Sequence, residues 1–405
     1  MKYLDKLLNG VEVEWKALGE VAIYVRGLTY SKLDESSNNV GYKVLRANNI
    51  TLSDNTVNLD DIKFVKYETK VKDIQKLCKS DILISAASGS REHVGKVAFI
   101  NSDIDYYFGG FMGVVRCSSI TNPRYLFHIL TSNLFQRHLD EMLNSSTINN
   151  ISSKVITNFL IPIPPLEVQK EIVRILDIFT ELTTELTAEL TARKKQYNYY
   201  REKLLSFEEG EVEWKALGEI GEYSRKRISS SSIDKSNYVG VDNLLQNRAG
   251  KTDSNYAPTE GNLTGYSIGD VLIGNIRPYL KKIWLSDRVG GTNGDVLVIH
   301  INNSTILSPK YLYQVLAADS FFEYNMQHAK GAKMPRGNKA KIMEYLIPVP
   351  SLEEQTRIVS ILDKFDTLTT SISEGLPKEI ELRKKQYEYY REKLLSFEKK
   401  EIEEP

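Results

Sequence analysis

Only two cysteines, Cys78 and Cys117, occur in 405 residues. So few thiols exclude a disulfide framework and suit a reducing cytoplasm. No apolar run approaches the length of a membrane span, and Met1-Lys2-Tyr3-Leu4-Asp5 does not open a secretory signal. Net charge is missing as well, 53 basic residues balancing 53 acidic ones, which excludes a protein basic over its whole surface but leaves room for a basic face. Motifs of chemistry are also lacking. There is no GxxxxGKS/T phosphate loop, no GxGxxG after a strand, no HExxH and no Cys/His cluster with zinc spacing. The Asn/Asp-Pro-Pro-aromatic string of adenine methylation is absent, its nearest match Ile163-Pro164-Pro165-Leu166 lacking both ends. His93, His128, His138, His300 and His328 stand apart as packed or surface residues. The expectation is a chain with no catalytic residue, metal site or cofactor of its own.

What the chain does have is itself, twice. EVEWKALGEV from Glu12 to Val21 returns as EVEWKALGEI from Glu211 to Ile220, and KKQYNYYREKLLSFE from Lys194 returns as KKQYEYYREKLLSFE from Lys384. LIPIPPLEVQKEIVRILDIFTELTT from Leu160 likewise returns as LIPVPSLEEQTRIVSILDKFDTLTT from Leu346. Between these pieces the copies hardly match, so one frame holds two different inserts, a domain-sized repeat that implies pseudo-twofold symmetry. Tyr3-Leu4-Asp5-Lys6-Leu7-Leu8 resembles Tyr200-Arg201-Glu202-Lys203-Leu204-Leu205, as if a circular frame had been cut inside one helix.

From Leu166 to Phe207 apolar residues recur at steps of three or four, among them Ile172, Leu176, Phe179, Leu186, Leu190, Tyr197, Tyr200 and Leu204, which predicts one helix of about 40 residues and roughly 60 Å. Pro164 and Pro165 precede it and Gly210 follows. The second copy repeats the seam through Ile358, Leu362, Phe365, Tyr387, Tyr390 and Leu394, with Gly375 and Pro377 expected to break it. Each seam needs a partner, and the other copy supplies it if the two helices pair antiparallel as a coiled coil with one insert near each end. TELTAELTA, from Thr184 to Ala192, repeats a four-residue unit, a length adjustment of about 6 Å per unit.

The inserts mix strand-like runs (Lys43–Arg46, Asp81–Ser85, Asp270–Ile273, Asp295–Ile299) with one amphipathic helix each, from Pro123 and from Pro309, an α+β pattern. A polar loop follows each helix. Asn144–Lys154 offers Ser146, Thr147, Asn150 and Lys154, groups that donate to phosphates or base edges. His328–Lys341 offers Lys330, Lys333, Arg336, Asn338, Lys339 and Lys341 without an acid, with Gly331 and Gly337 letting backbone approach a phosphate chain. Further candidates for double-stranded DNA are Arg46, Asn48 and Asn49; Ser88, Arg91 and Lys96; and Asn275, Arg277, Tyr279, Lys281 and Lys282.

The doubled LIPxPxLExQ segments, the TAEL repeat, the two KKQYxYYREKLLSF helix ends and the doubled EVEWKALGE together resemble the specificity subunit of type I restriction-modification systems, over essentially the full length. The resemblance implies two target-recognition domains, each reading half of a split, asymmetric DNA site, and two helices acting as a ruler between them. It also implies two methylation subunits docked on the frame, bringing S-adenosylmethionine, and restriction subunits bringing ATP- and Mg-dependent cleavage. The expected division is 1–159 and 211–345 for the recognition domains, 160–210 and 346–405 for the helices with an acidic tail. Leu186, Leu190, Tyr197, Tyr200, Leu204, Tyr387, Tyr390 and Leu394 are the spacer or docking candidates. The rival expectations are the recognition half of a type II enzyme with separate methylase and nuclease, and a coiled-coil scaffold that binds no DNA.

Overall fold

A computed structural model of the chain describes residues 8, 10–51, 54–88, 93–143, 150–370 and 374–398. The chain folds into two compact units, Met1–Thr183 with Leu382–Pro405, and Thr184–Glu381.

In the first unit the repeated EWKA segment, Glu14–Ala17, pairs antiparallel with Leu160–Ile163, Trp15 opposite Pro162, so the frame closes on itself across the insert. The insert then builds a four-stranded antiparallel sheet in the order Ala22–Arg26, Met112–Cys117, Ile82–Ser85, Val97–Phe99. Ile82 and Ile84 enter one core and Leu83 the other, which is why that strand reads as an unbroken apolar run. A second sheet orders Lys63–Val65, Tyr42–Leu45 and Tyr107–Phe108, the last pair parallel.

The second unit repeats this plan without repeating the sequence. Glu213–Ala216 pairs with Leu346–Val349, Trp214 opposite Pro348. The main sheet runs Gly221–Tyr223, Val296–Ile301, Val271–Gly274, Ile283–Leu285, the same order and sense. Val271 and Ile273 again face one core and Leu272 the other. The inserts are therefore two versions of one fold, differing mainly in the second sheet, which here has four strands.

The retained residues act as clasps. Gln169, fully buried, accepts from the Asn122 N–H at 2.7 Å and donates to the Ile120 and Pro164 carbonyls; Gln355 accepts from the Ser308 N–H at 2.8 Å and donates to the Ile306 and Pro350 carbonyls. Tyr125 donates to the Pro162 carbonyl as Tyr311 does to that of Pro348. A buried amide left unsatisfied would cost about 1–3 kcal/mol, which accounts for the doubled LExQ motif.

The single insert helices expected from the 3.6-residue period are each two. Pro123–Leu130 is followed by Asn133–Leu143, and Pro309–Leu316 by Asp319–Gln327. The Ser132 hydroxyl donates to the Ile129 carbonyl and accepts from the Leu134 N–H, ending one helix and starting the next. In the second unit Ala318 is extended (φ −66°, ψ 154°) and the Asp319 N–H donates to Glu202. The apolar period passes through both breaks, so the pattern hides them.

The first spacer helix is continuous, Leu166–Leu204. The second is Leu352–Thr370 and Gly375–Leu394, as Gly375 and Pro377 predict. Gly375 has φ +80°, and a Cβ there would stand 2.4 Å from the Thr367 carbonyl oxygen. Each unit buries the helix end of the opposite copy. Leu394, Leu395 and Phe397 join Ile172 and Leu176 in the first unit, where Phe179 stacks on Tyr390 at 5.2 Å. Tyr197 and Leu205 join Ile358 and Leu362 in the second, where Tyr197 stacks on Phe365 at 5.8 Å. Of the amino-terminal stub only Leu8 lies among these described residues, packed on the first core.

One clasp differs in chemistry between the units. His128, fully buried, takes the Tyr387 hydroxyl at Nδ1 and meets the Asp177 carboxylate at Nε2, both at 2.9 Å; Gln314 occupies the matching place and accepts from Tyr197 and Arg201. A neutral Nε2–H imidazole satisfies both partners. Burial lowers the His128 pKa, against the opposite pull of Asp177, so the folded state binds that proton less readily than the unfolded chain. Its contribution to stability is complete above about pH 6.5 and falls as the pH drops below it. Thermal melts at about pH 7.5 and 5.5 should show a larger acid loss for the wild type than for His128→Gln; equal losses would remove His128 as the cause.

Candidate nucleic-acid interface

The two loops singled out separately in each insert come together through the same backbone device. In the first unit the strand Ile82–Ser85 runs on to Ala87, which bridges Asn150, and the Ile151 N–H donates to the Ala86 carbonyl at 2.7 Å. In the second, Val271–Gly274 runs on to Ile276, which bridges Arg336, and the Gly337 N–H donates to the Asn275 carbonyl at 3.1 Å. Arg336 also bridges Lys330, so the basic loop is a small hairpin laid against the end of the central strand. Gly337 serves packing rather than phosphate approach: a Cβ there would meet Asn325 Oδ1 at 2.5 Å and Asn275 Oδ1 at 2.8 Å.

Beside each junction lies a cleft. That of the first unit, about 830 Å³, is lined by Tyr30, Lys32, Arg46, Asn48, Ser88 and Phe111. That of the second, about 450 Å³, is lined by Asn243, Tyr256, Arg277, Lys282, Asp295 and Met334. Phe111, 74% exposed, follows Gly109 and Gly110 and is fixed by Ala86 and Ala87 N–H groups donating to its carbonyl. Sequence reasoning missed it, and the only signal was an aromatic after a Gly-Gly turn.

The remaining candidates divide by whether the protein already uses them. Arg46 and Asn48 both donate to the Asp61 carboxylate, at 2.7 and 2.9 Å, which orients them and cancels the Arg46 charge. Asn49 is fully buried, accepting from the Arg46 N–H and donating to the Asn58 and Asp61 carbonyls, so it has no face for a duplex. Lys96 is buried against His93. Asn275 is buried, Asn338 caps the helix Lys339–Met343, and Lys282 donates to the Val241 carbonyl. Lys341 pairs with Glu344, whose hydrogen bond raises the lysine pKa. Lys281 and Arg248 both engage Asp319; burial pushes that carboxyl up, the two cations outweigh it, and it stays below the usual carboxylate range. Arg336 pairs with Asp295 at 2.9 Å. Among the described residues Lys154, Arg277, Lys330, Lys333 and Lys339 are exposed and carry no ion pair, Tyr279 is 48% exposed, Asn150 is exposed, and Ser88 is half-buried. Arg91, Ser146 and Thr147 lie outside the described residues.

On the spacer, Tyr197 and Leu394 are buried in their units, Leu186, Leu190, Tyr200, Leu204 and Tyr387 are half-buried, and Tyr390 is 37% exposed. The outward rings are Tyr199 and Tyr389, each 60% exposed beside Lys203 and Lys393. Both fall off the apolar seam, so its period does not mark them, although both copies retain them.

The family model for the type I restriction modification DNA specificity domain matches residues 10–193 and again 209–382. The chain belongs to this family of specificity subunits. It is similar to the EcoR124I/EcoR124II type I restriction enzyme specificity subunit of Escherichia coli, 35% identical, covering 99% of this chain and 98% of that one. Among solved structures it is similar to a chain of a type I R-M system studied for complex assembly and conformational transition, at a TM-score of 0.58, 17% identity, and 95% and 98% coverage. It is also similar to the type I system S subunit from M. genitalium, at 0.52, 16% identity, and 98% and 100% coverage. The α+β fold and the two target-recognition domains of a specificity subunit are thus established. Among the described residues no helix is long and apolar enough to cross a membrane.

Proposed function

We propose that this specificity subunit reads a bipartite, asymmetric DNA site, one half with each target-recognition domain, while the spacer helices set the gap. One observation carries the reading: two domains of equal topology bring the same pair of loops together and decorate them differently, Ala87, Ser88 and Asn150 in one, Ile276, Arg277 and Arg336 in the other. A shared backbone with divergent polar tips is what two readers of different sequences require.

The catalytic work belongs to partners. Two methylation subunits, carrying S-adenosylmethionine, would dock on the frame, and restriction subunits would bring ATP and Mg, all in the cytoplasm. The paired Tyr199 and Tyr389 favour two copies of one partner, since an identical exposed aromatic is retained on both helices while the inserts diverge.

The basic hairpin tests DNA contact. Within the hairpin Lys330–Arg336, Lys330 and Lys333 are exposed and carry no ion pair among the described residues, whereas Arg336 is neutralised by Asp295. Lys330→Ala with Lys333→Ala, in the methylation complex, should weaken binding on all sequences alike and flatten the logarithmic salt slope by about 2. An unchanged slope would take the hairpin out of the interface.

A further inference from the structure

We propose that Arg277 reads a guanine in the half-site of the second recognition domain, an inference that rests on that domain contacting DNA. Arg277 lies in the left-handed region, φ 53° and ψ 65°, directly before Pro278. Both facts oppose its conformation, since a Cβ disfavours positive φ and a following proline ring disfavours helical backbone. The surroundings impose it. The Arg277 N–H donates to the Pro335 carbonyl at 2.7 Å, Ile276 is bridged to Arg336, and the Leu280 N–H returns to the Arg277 carbonyl at 2.9 Å. On the far side the Asn247 and Arg248 N–H groups hold the Leu280 and Lys281 carbonyls, each at 2.9 Å. A five-residue turn, Arg277–Lys281, is thus clamped from two directions around a costly backbone, the pattern expected where a side chain must be aimed.

That turn has two cations, and the protein uses one. Lys281 is held by Asp319, whereas the Arg277 guanidinium makes no hydrogen bond or ion pair among the described residues and lines the cleft of the second domain. Of the cleft's acids, Asp295 is taken by Arg336, and Asp242 makes no ion pair with Arg277. An exposed, unpaired guanidinium on a fixed backbone presents a planar fork, which matches the O6 and N7 acceptors of guanine in the major groove and keeps its freedom cost low. Ser88, which follows Ala87 as Arg277 follows Ile276, puts a hydroxyl at the matching place, in keeping with a different base there.

The test is a genome-wide map of methylated sites made with the full methylation complex carrying Arg277→Ala, Arg277→Lys or Arg277→Gly. The expected result is relaxation at one G·C pair of the second half-site, by about ten-fold or more in all three, with the first half unaltered. Lysine keeps the charge and loses the fork, so restoration by Arg277→Lys would mark a phosphate contact and overturn the proposal. Glycine accepts the positive φ, so Arg277→Gly should melt no lower than wild type; relaxation in that variant then belongs to the side chain. An unaltered site in all three would overturn the guanine contact alone. The broader reading would fall instead if a second half-site persisted after the whole Ile220–Tyr345 insert was exchanged.

Discussion

Exchanging Val21–Phe159 for the corresponding insert of another specificity subunit should replace one half of the methylated site and leave the other half intact. The segment begins at the end of the short helix Leu18–Val21 and stops at the residue before the strand Leu160–Ile163, so both strands of the pair that closes the frame stay in place. The first unit's core is shared between insert and frame, Phe127, Ile129 and Phe159 packing with Ile161, Ile172 and Leu176. An incoming insert must therefore match that apolar surface and offer the Gln169 clasp a backbone N–H and a carbonyl. Asn122-Pro123-Arg124-Tyr125 and Ser308-Pro309-Lys310-Tyr311 already show two sequences doing so. Methylation mapping reads the outcome: a change in both halves would reject independent reading, and loss of all methylation with a normal melt would reject the domain as a self-sufficient reader.

Deleting Thr187–Leu190 should shorten the gap between the half-sites and alter neither half. Four residues are 1.1 turns of helix, about 6 Å of length and roughly 40° of rotation, equivalent to about two base pairs of B-form rise. The fold tolerates the loss because this stretch contributes little burial: Leu186 and Leu190 are half-buried, and Thr187, Ala188 and Glu189 are exposed. Stability should change little while the recognised spacing contracts. An unchanged gap in the methylome would reject the ruler, and altered half-sites would show that the helix affects reading as well as distance.

The frame was legible because each of its parts has a physical signature. Prolines before Leu166, a three-four period through Leu204, and Gly375 with Pro377 in the second helix all stand as read. The break inside each insert helix was hidden, since Ser132 and Ala318 interrupt the hydrogen bonding without interrupting the period. The common topology of the inserts was hidden too, because strand order is set by contacts between residues far apart whose identities have diverged. For the candidate site, residue type singled out loops that the fold brings together, but not which of their side chains stay free. Asn49, Lys96 and Asn338 look like base or phosphate readers in a string, and only their neighbours reveal that Asn49 and Lys96 are buried among partners and that the Asn338 oxygen caps a helix. Phe111 shows the converse, a ring that its composition places in a core and its turn places in the open.

Leu394, Leu395 and Phe397 complete the core that Trp15 and Ile82 begin, so the first reader is finished by residues synthesised only after the whole second insert. At ordinary rates of synthesis it waits roughly 10–40 s with an uncovered apolar flank. A message cut short in its second half thus yields a product whose earliest domain lacks its closing helix, a target for proteases and chaperones. Translation through Phe397 becomes a condition for a competent first half.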